Sequence, residues 1–195
     1  MTLRVHMRHH PIYALGPGKR FGLWLQGCSI HCDGCISRET WDFGGGEARD
    51  ISELAREIAE TAGNEKLDGL TVSGGEPFDQ AEPLMKFLRE IASFGIRDVL
   101  VYSGYRIEYL LPRFAEIRDL TAAVVDGPFE LGGETESCWR GSANQTLSVF
   151  RPEFETRYAE WERVKKGRLQ ILKNEYGVFV AGIPRQGDVA KIKNL

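Results

Sequence analysis

Cysteine is scarce in this chain of 195 residues: there are four, and three of them, Cys28, Cys32 and Cys35, stand within eight positions. That excludes a disulfide scaffold, which needs its cysteines spread along the sequence. It fits a reducing, cytoplasmic setting in which the thiols stay available. Long hydrophobic runs are missing too. No apolar run approaches the 18 or more residues of a membrane span, and residues 1–10 lack the apolar stretch of a secretory signal, so no membrane partner is expected. Neither sign of charge prevails, since 25 Lys and Arg stand against 28 Asp and Glu. A formal charge of −3 gives no reason to expect nucleic acid as a bulk partner. Internal repeats, low-complexity tracts and an evident linker are absent as well. What remains is 42% hydrophobic content, enough for one substantial core.

The one local excess of charge lies at the start. Residues 1–20 carry Arg4, Arg8, Lys19, Arg20 and three histidines but no acid. This reads as a solvated basic edge, or else as contact with an anionic partner. His6, His9 and His10 have helical spacing, but Pro11 follows at once and no metal site is expected there.

Short apolar segments alternate with amphipathic ones. Residues 21–26 read as a strand that delivers the chain into the cysteine loop. Ile51, Leu54 and Ile58 recur at helical intervals over 50–61, with Asp50 and Glu53 placed as a capping box. Residues 67–72 form the next strand, and Leu84, Phe87, Leu88 and Ile91 a second helical face. A third strand at 99–102, a short helix over 106–113 and a fourth strand at 121–125 follow. Strands spaced by helices argue for an α/β fold with a parallel sheet and crossover helices. Such sheets gather ligand sites at the C-terminal ends of their strands. The cysteine loop and the segments 73–77, 103–105 and 126–128 each follow one of the four strands, which puts them on one rim. A core domain is expected over 1–150. Beyond it, 155–166 reads as a charged helix, and 169–172 with 178–180 as a hairpin turning through Asn174-Glu175-Tyr176-Gly177. Residues 151–195 are thus expected to form an ordered appendage packed on the core.

The spacing CxxxCxxC delivers three thiolates from one short loop. Thiolates are the normal ligands of iron–sulfur clusters, and three of them on a four-iron cube leave one iron without a protein ligand. Zinc would ask for a fourth ligand, His31 or a water, and plain structural thiols are a third reading. Ser73-Gly74-Gly75-Glu76-Pro77 ends a predicted strand. Alone it is a glycine turn with an exposed glutamate; beside an open-iron loop it is an edge that presents backbone carbonyls and a carboxylate to a ligand's ammonium group. Cys138, far from the loop, reads as a semi-buried thiol beside Trp139. Arg140 offers a bidentate contact to a carboxylate, that of a ligand, of a partner protein or of Glu136. Trp24 and Trp41 are expected to pack around the cysteine loop.

Together, Cys28, Cys32 and Cys35 in CxxxCxxC and Gly74-Gly75-Glu76-Pro77 as GGEP resemble the radical S-adenosylmethionine (SAM) superfamily. In that family three cysteines hold a [4Fe–4S] cluster, and the amino and carboxylate groups of SAM chelate its fourth iron. The resemblance implies that Gly74, Gly75 and Glu76 hold the SAM amino group. Ser103 would border the same site, Tyr105 either covers the adenine or packs as core, Asp126 either contacts the ribose or caps a loop, and Arg140 would meet the SAM carboxylate. The stretch from Gly27-Cys28 through Gly34-Cys35 to Thr40-Trp41 is similar to the activating enzymes of glycyl-radical enzymes, and above all to the anaerobic ribonucleotide reductase activators. Ser103-Gly104-Tyr105, Asp126-Gly127-Pro128-Phe129 and the segment from Trp139 to Gln145 share that similarity, which spans about residues 12–150. Two departures stand out: Ser37 occupies a position where that group usually has asparagine, and 50 residues follow the Asn144-Gln145 segment.

The resemblance implies a partial (β/α)6-type radical SAM barrel with parallel strands and a short C-terminal extension. It implies an oxidoreductase that cleaves SAM reductively to a 5′-deoxyadenosyl radical, which abstracts hydrogen from a glycine of a partner glycyl-radical enzyme. The electron would come from a flavodoxin- or ferredoxin-like donor. Two other readings stay open: a radical SAM enzyme that modifies a small molecule, a peptide or a nucleotide-like metabolite, and a non-catalytic iron–sulfur or zinc protein.

Overall fold

The computed structural model describes residues 1–167, 169–174, 177–185 and 188. A long strand, β1 (Thr2–Ile12), turns through 13–19 into β2 (Arg20–Leu25). So short a link cannot hold a crossover helix, and the two strands pair antiparallel. β3 (Glu47–Asp50) pairs antiparallel with the other edge of β1. Then come α1 (Ile51–Glu65), β4 (Gly69–Gly74), α2 (Ala81–Ser93), β5 (Val99–Tyr102), the single-turn helices α3 (Ile107–Leu110) and α4 (Ile117–Leu120), and β6 (Ala123–Asp126). Strands β2, β4, β5 and β6 run parallel, side by side. β7 (Thr146–Val149) closes antiparallel on β6.

The sheet order is β3-β1-β2-β4-β5-β6-β7. This is a mixed α/β sheet with a parallel centre and antiparallel edges, where the sequence suggested parallel strands throughout. The difference lies in the links. Helices separate only the four central strands; the short turn before β2 and the helix-free, glycine-bearing stretch 127–145 before β7 both send the chain straight back.

Alternation along the strands sorts their side chains onto two faces. Phe21, Leu23, Leu25, Leu70, Val72, Val99, Val101 and Val124 face the apolar stripes of α1 and α2. Asp50 starts α1, its Oδ1 accepting the Ser52 and Glu53 N–H groups, as an N-cap should. The second face presents Trp24, Leu100, Tyr102, Ala123 and Val125. Later parts of the chain cover it. Cys138, Trp139, and Tyr158 and Trp161 of α5 (Glu155–Glu162) pack on Leu100, Ala123 and Val125. The expected hairpin, β8 (Gln170–Asn174) with β9 (Gly177–Ala181), lays Leu172, Phe179 and Ala181 against Ile12, Leu15 and Trp24. Trp24 therefore packs beneath the hairpin and not around the cysteine loop. Glu175 and Tyr176 of the expected turn lie outside the described residues, as do 189–195.

The basic start of the chain is not a uniformly solvated edge. Arg20 is fully buried on the second face. It donates to Thr71, Pro17 and Leu70 and pairs with buried Asp98 at 3.0 Å. The Tyr158 hydroxyl donates to the same carboxylate at 2.7 Å, and Arg157 reaches its other oxygen at 3.1 Å. Arg8 meets Glu57 at 2.6 Å and Lys19 meets Glu65 at 3.8 Å. The acids that answer these charges come from α1 and from the start of β5, far along the chain, which is why local composition hides the pairing. Among the described residues no helix is long and apolar enough to cross a membrane.

Candidate functional site

β2 and its parallel neighbour β4 end level with each other, Leu25 opposite Gly74. The cysteine loop and the glycine–glutamate motif therefore leave the sheet side by side. Gly74 has φ +106°, and a Cβ there would lie 2.4 Å from the Leu25 backbone. A Cβ on Gly75 would lie 2.1 Å from the Gly27 carbonyl oxygen. Only glycine lets these backbones approach so closely. Two hydrogen bonds use the approach: Gly75 N–H donates to Leu25 O and Glu76 N–H to Gly27 O, both at 2.9 Å. From the other side, Gly27 and Cys28 N–H donate to the Thr40 and Trp41 carbonyls at 2.7 and 3.1 Å.

Cys28 is buried, while Cys32 and Cys35 are half-buried. Burial pushes the Cys28 thiol up, the N–H groups of His31 and Ile30 aimed at it pull it down, and the nearby Glu76 and Asp79 charges push it up again. Burial likewise pushes the Cys32 thiol up, against a Phe129 N–H that pulls it down, and Cys35 and Cys28 add to the rise. His31 holds a left-handed backbone, φ 52°, and its ring stacks on Trp41 at 4.5 Å. Trp41 thus packs at the loop as expected, against the imidazole suggested as a zinc ligand.

All four rim segments converge near Gly104. A Cβ built there would touch Ile30 of the cysteine loop at 2.5 Å, Glu76 Oε2 at 3.5 Å and Pro128 at 3.7 Å. Glu76 is buried. Its carboxylate accepts from Phe78 N–H at 3.0 Å, from the Ser103 hydroxyl at 2.8 Å and from Gly104 N–H at 2.7 Å. Burial nonetheless raises its pKa to about 7, with those three hydrogen bonds pulling the other way. Oε2 accepts only the Gly104 bond among these and keeps acceptor capacity for a ligand. Tyr105 stacks on Tyr109 with ring centroids 5.0 Å apart.

Asp126 caps a loop, one of the two readings given for it, and Arg140 is held within its own loop. Buried Asp126 accepts from Ile107 N–H at 3.1 Å and from the Thr146 hydroxyl at 2.5 Å, tying α3 to β7. Arg140 lies over the Trp139 ring and donates to Thr135, Ala143 and Gln145. It braces the loop before β7 and does so without the Glu136 carboxylate. Cys138 packs on the second sheet face, its thiol 3.7 Å from the Trp161 carbonyl.

Asp79 is a site residue that no motif or spacing announces. It accepts from Ser29 N–H at 2.6 Å, from the Ser29 hydroxyl at 3.0 Å and from the Tyr105 hydroxyl at 2.8 Å. Next to it, the Gln80 side chain joins Arg4 to the Gln26 carbonyl, and Gln26 in turn donates to the Glu39 and Asp42 carbonyls. The one available signal was polar residues two and three places past GGEP, in a stretch where Phe78 alone carries the packing.

The donor set suits a cluster better than a single ion. Among the described residues, no three His, Cys, Asp or Glu side chains converge as ligands of one metal ion, whereas zinc needs its thiolates about 2.3 Å from one point. A cluster gives each thiolate its own iron. Here Cys35 and Cys28 lie near enough to act on the Cys32 thiol, and backbone N–H groups act on the Cys28 and Cys32 sulfurs, the kind of hydrogen bonding that tunes iron–sulfur potentials.

Comparison with known proteins agrees with this geometry. Residues 14–148 match the family model described as "4Fe-4S single cluster domain". The anaerobic ribonucleoside-triphosphate reductase-activating protein of Enterobacteria phage T4 is 30% identical over 137 residues, covering 68% of this chain and 85% of that protein. Its Escherichia coli K12 counterpart is 29% identical over 156 residues, 74% of this chain and the whole of that protein. The pyruvate formate-lyase 1-activating enzyme of E. coli K12 is 34% identical over 109 residues, 54% of this chain and 44% of that enzyme.

Proposed function

Because this chain belongs to the 4Fe-4S single cluster domain family, and with those reductase- and lyase-activating proteins to the radical SAM superfamily, we propose that it is itself an activating enzyme for a glycyl-radical enzyme. Cys28, Cys32 and Cys35 hold the [4Fe–4S] cluster. The Gly74-Gly75 backbone and the spare acceptor capacity of Glu76 meet the SAM amino group, and Ser103 and Tyr105 border the same site. Asp126 and Arg140 act on it through the loops they hold. Held by these residues, a reduced cluster and SAM would supply the chemistry of reductive SAM cleavage to a 5′-deoxyadenosyl radical. The chain's own share is positioning and shielding: Ile30, His31 and Trp41 give apolar cover to the loop, which limits solvent access. An oxidoreductase of this kind works in the cytoplasm, fed by a flavodoxin- or ferredoxin-like donor.

The observation that favours a protein substrate is where the open space is not. Trp24, Tyr102, Trp139, Tyr158 and Trp161 fill the second sheet face, the side on which a small molecule would enter a barrel. The described residues after 150 hydrogen-bond to Pro11, Tyr13, Asp98, Glu136, Cys138 and Gly141, and none of these bonds is to Cys28, Cys32 or Cys35. At the rim, by contrast, Ile36, Phe43 and Leu131 stand exposed, Phe43 against Gly27 and Leu131 against Gly34. A macromolecule can cover such a rim itself.

The test is anaerobic reconstitution, SAM cleavage and radical detection on a partner that carries a C-terminal glycyl-radical motif. About four irons and four sulfides per chain are expected, lost when any of Cys28, Cys32 or Cys35 is replaced by alanine and kept in Cys138→Ala. Stoichiometric zinc without iron would sink the proposal. Cleavage with no glycyl radical on any such partner would move the chain to the small-molecule reading.

A further inference from the structure

Asp79 touches two loops that both border the cysteines, and nothing in the proposed chemistry yet uses it. It sits in the single 3-10 turn Pro77–Gln80 that follows Glu76. A carboxylate is an acceptor only, with room for about four donors, and three donors are in place. Ser29 N–H and Ser29 Oγ lie 50 residues back along the chain, and the Tyr105 hydroxyl 26 residues on. The Ser29 and Tyr105 hydroxyls are themselves 3.0 Å apart, so the three side chains close a triangle. None of these bonds is a local turn or helix cap; each spans loops.

We propose that Asp79 is a positioning residue that locks the cysteine loop and Tyr105 into one rigid unit around the SAM site. Two consequences follow from the geometry. Ser29 directly follows Cys28, and the next two amides, Ile30 and His31, are the ones aimed at the Cys28 sulfur. Anchoring Ser29 N–H on a charged acceptor, roughly twice as strong as a neutral one, fixes the turn that aims them. The same carboxylate pins the Tyr105 hydroxyl and so sets the ring that stacks on Tyr109. Glu76, three residues earlier, holds Ser103 and Gly104. The two acids of Gly74-Gly75-Glu76-Pro77-Phe78-Asp79 thus add side-chain ties among the loops after β2, β4 and β5 to the backbone bonds at Gly75 and Glu76.

The inference rests on the SAM site proposed above, and its test separates the two. In reconstituted protein, Asp79→Ala and Tyr105→Phe should each weaken SAM binding about tenfold, the lower end for a hydrogen bond to a charged group. The double variant should be no weaker than the worse single one, because both remove the same coupling. Asp79→Asn, which keeps one acceptor oxygen, should recover most of the loss. Additive losses, or unchanged affinity in Asp79→Ala, would overturn the assignment. Should Asp79→Ala not fold, Ser29→Ala with Tyr105→Phe runs the same cycle. The positioning half needs no cofactor: in the metal-free chain, amide exchange over 28–31 should speed up at least tenfold in Asp79→Ala and near wild-type rates should return in Asp79→Asn. Equal exchange in all three would refute it. Wild-type protein that assembles a cluster but binds no SAM would instead defeat the functional reading, leaving the exchange result to judge Asp79.

Discussion

At the residue scale, Glu76 shows how far a motif can be read and where reading stops. The sequence marked it as a carboxylate for a ligand, and it does reach the rim. What linear order hides is that it also serves the fold, bridging β4 to the loop after β5 through Ser103 and Gly104. Its burial has a measurable signature. Its pKa rises from 4.5 to about 7, so between those values the folded chain holds a proton that the unfolded chain has lost. By linkage, this contribution to stability is fully present below pH 4.5 and is lost as pH rises through about 7. The shift corresponds to about 3 kcal/mol. Glu76→Gln has no such proton to lose, so its stability curve should run flatter than wild type by about that amount across the window. Denaturant melts of the metal-free chain at several pH values would show it. Parallel curves for the two proteins would mean that the carboxyl is not buried as described. Asp79 marks the opposite limit: its role depends on which loops meet, and no spacing rule encodes that.

At the element scale, what was legible followed from hydrophobic period. The stripes of α1 and α2 and the apolar runs of β2, β4, β5 and β6 are written in the sequence because each buries a face. β3 was not, since Glu47-Ala48-Arg49-Asp50 buries no residue fully and joins β1 by backbone pairing, with one Arg8–Glu47 ion pair beside it. β1 was hidden by its own polarity, for most of its length is half-buried and its charged side chains find partners only in three dimensions. The join between β2 and β4 is decided by glycine, and two substitutions contrast its roles. Gly75→Ala forces a methyl to 2.1 Å from the Gly27 carbonyl and breaks two backbone hydrogen bonds. With each buried group left unpaired costing about 1–3 kcal/mol, a loss of several kcal/mol and poor iron retention are expected. Gly63→Ala, exposed in α1 with nothing within 4 Å of the new methyl, should instead stabilise by up to about 1 kcal/mol. Thermal melts of both decide the matter. A tolerated Gly75→Ala would mean that the strand ends need not touch.

At the scale of the whole molecule, the stretch after Phe150 changes meaning once folded. Its apolar positions promised order, and the hairpin formed where expected. Nothing in the sequence said that the central sheet would have a second apolar face in need of cover, because that face exists only after β2, β4, β5 and β6 line up. Tyr158, Trp161 and Leu172 are each less than one-tenth exposed there. Burying side chains of this size contributes roughly 1.5–3 kcal/mol apiece, so the three together supply about 5–9 kcal/mol. The whole stability of a domain is about 5–15 kcal/mol. Removing them also strips Tyr158 and Arg157 from Asp98, which leaves the buried Arg20–Asp98 pair facing water on one side. A chain ending at Phe150 should therefore fail to fold cooperatively and should not retain iron, even though every proposed cluster and SAM residue is still present. Tyr158→Phe isolates the polar part: it deletes one donor to a buried charge, about 1.5–3 kcal/mol, and should melt earlier yet keep its cluster. If the truncated chain melted cooperatively within a few degrees of the full one and still held iron, the second face would need no cover, and the segment would be free to serve as a docking element instead.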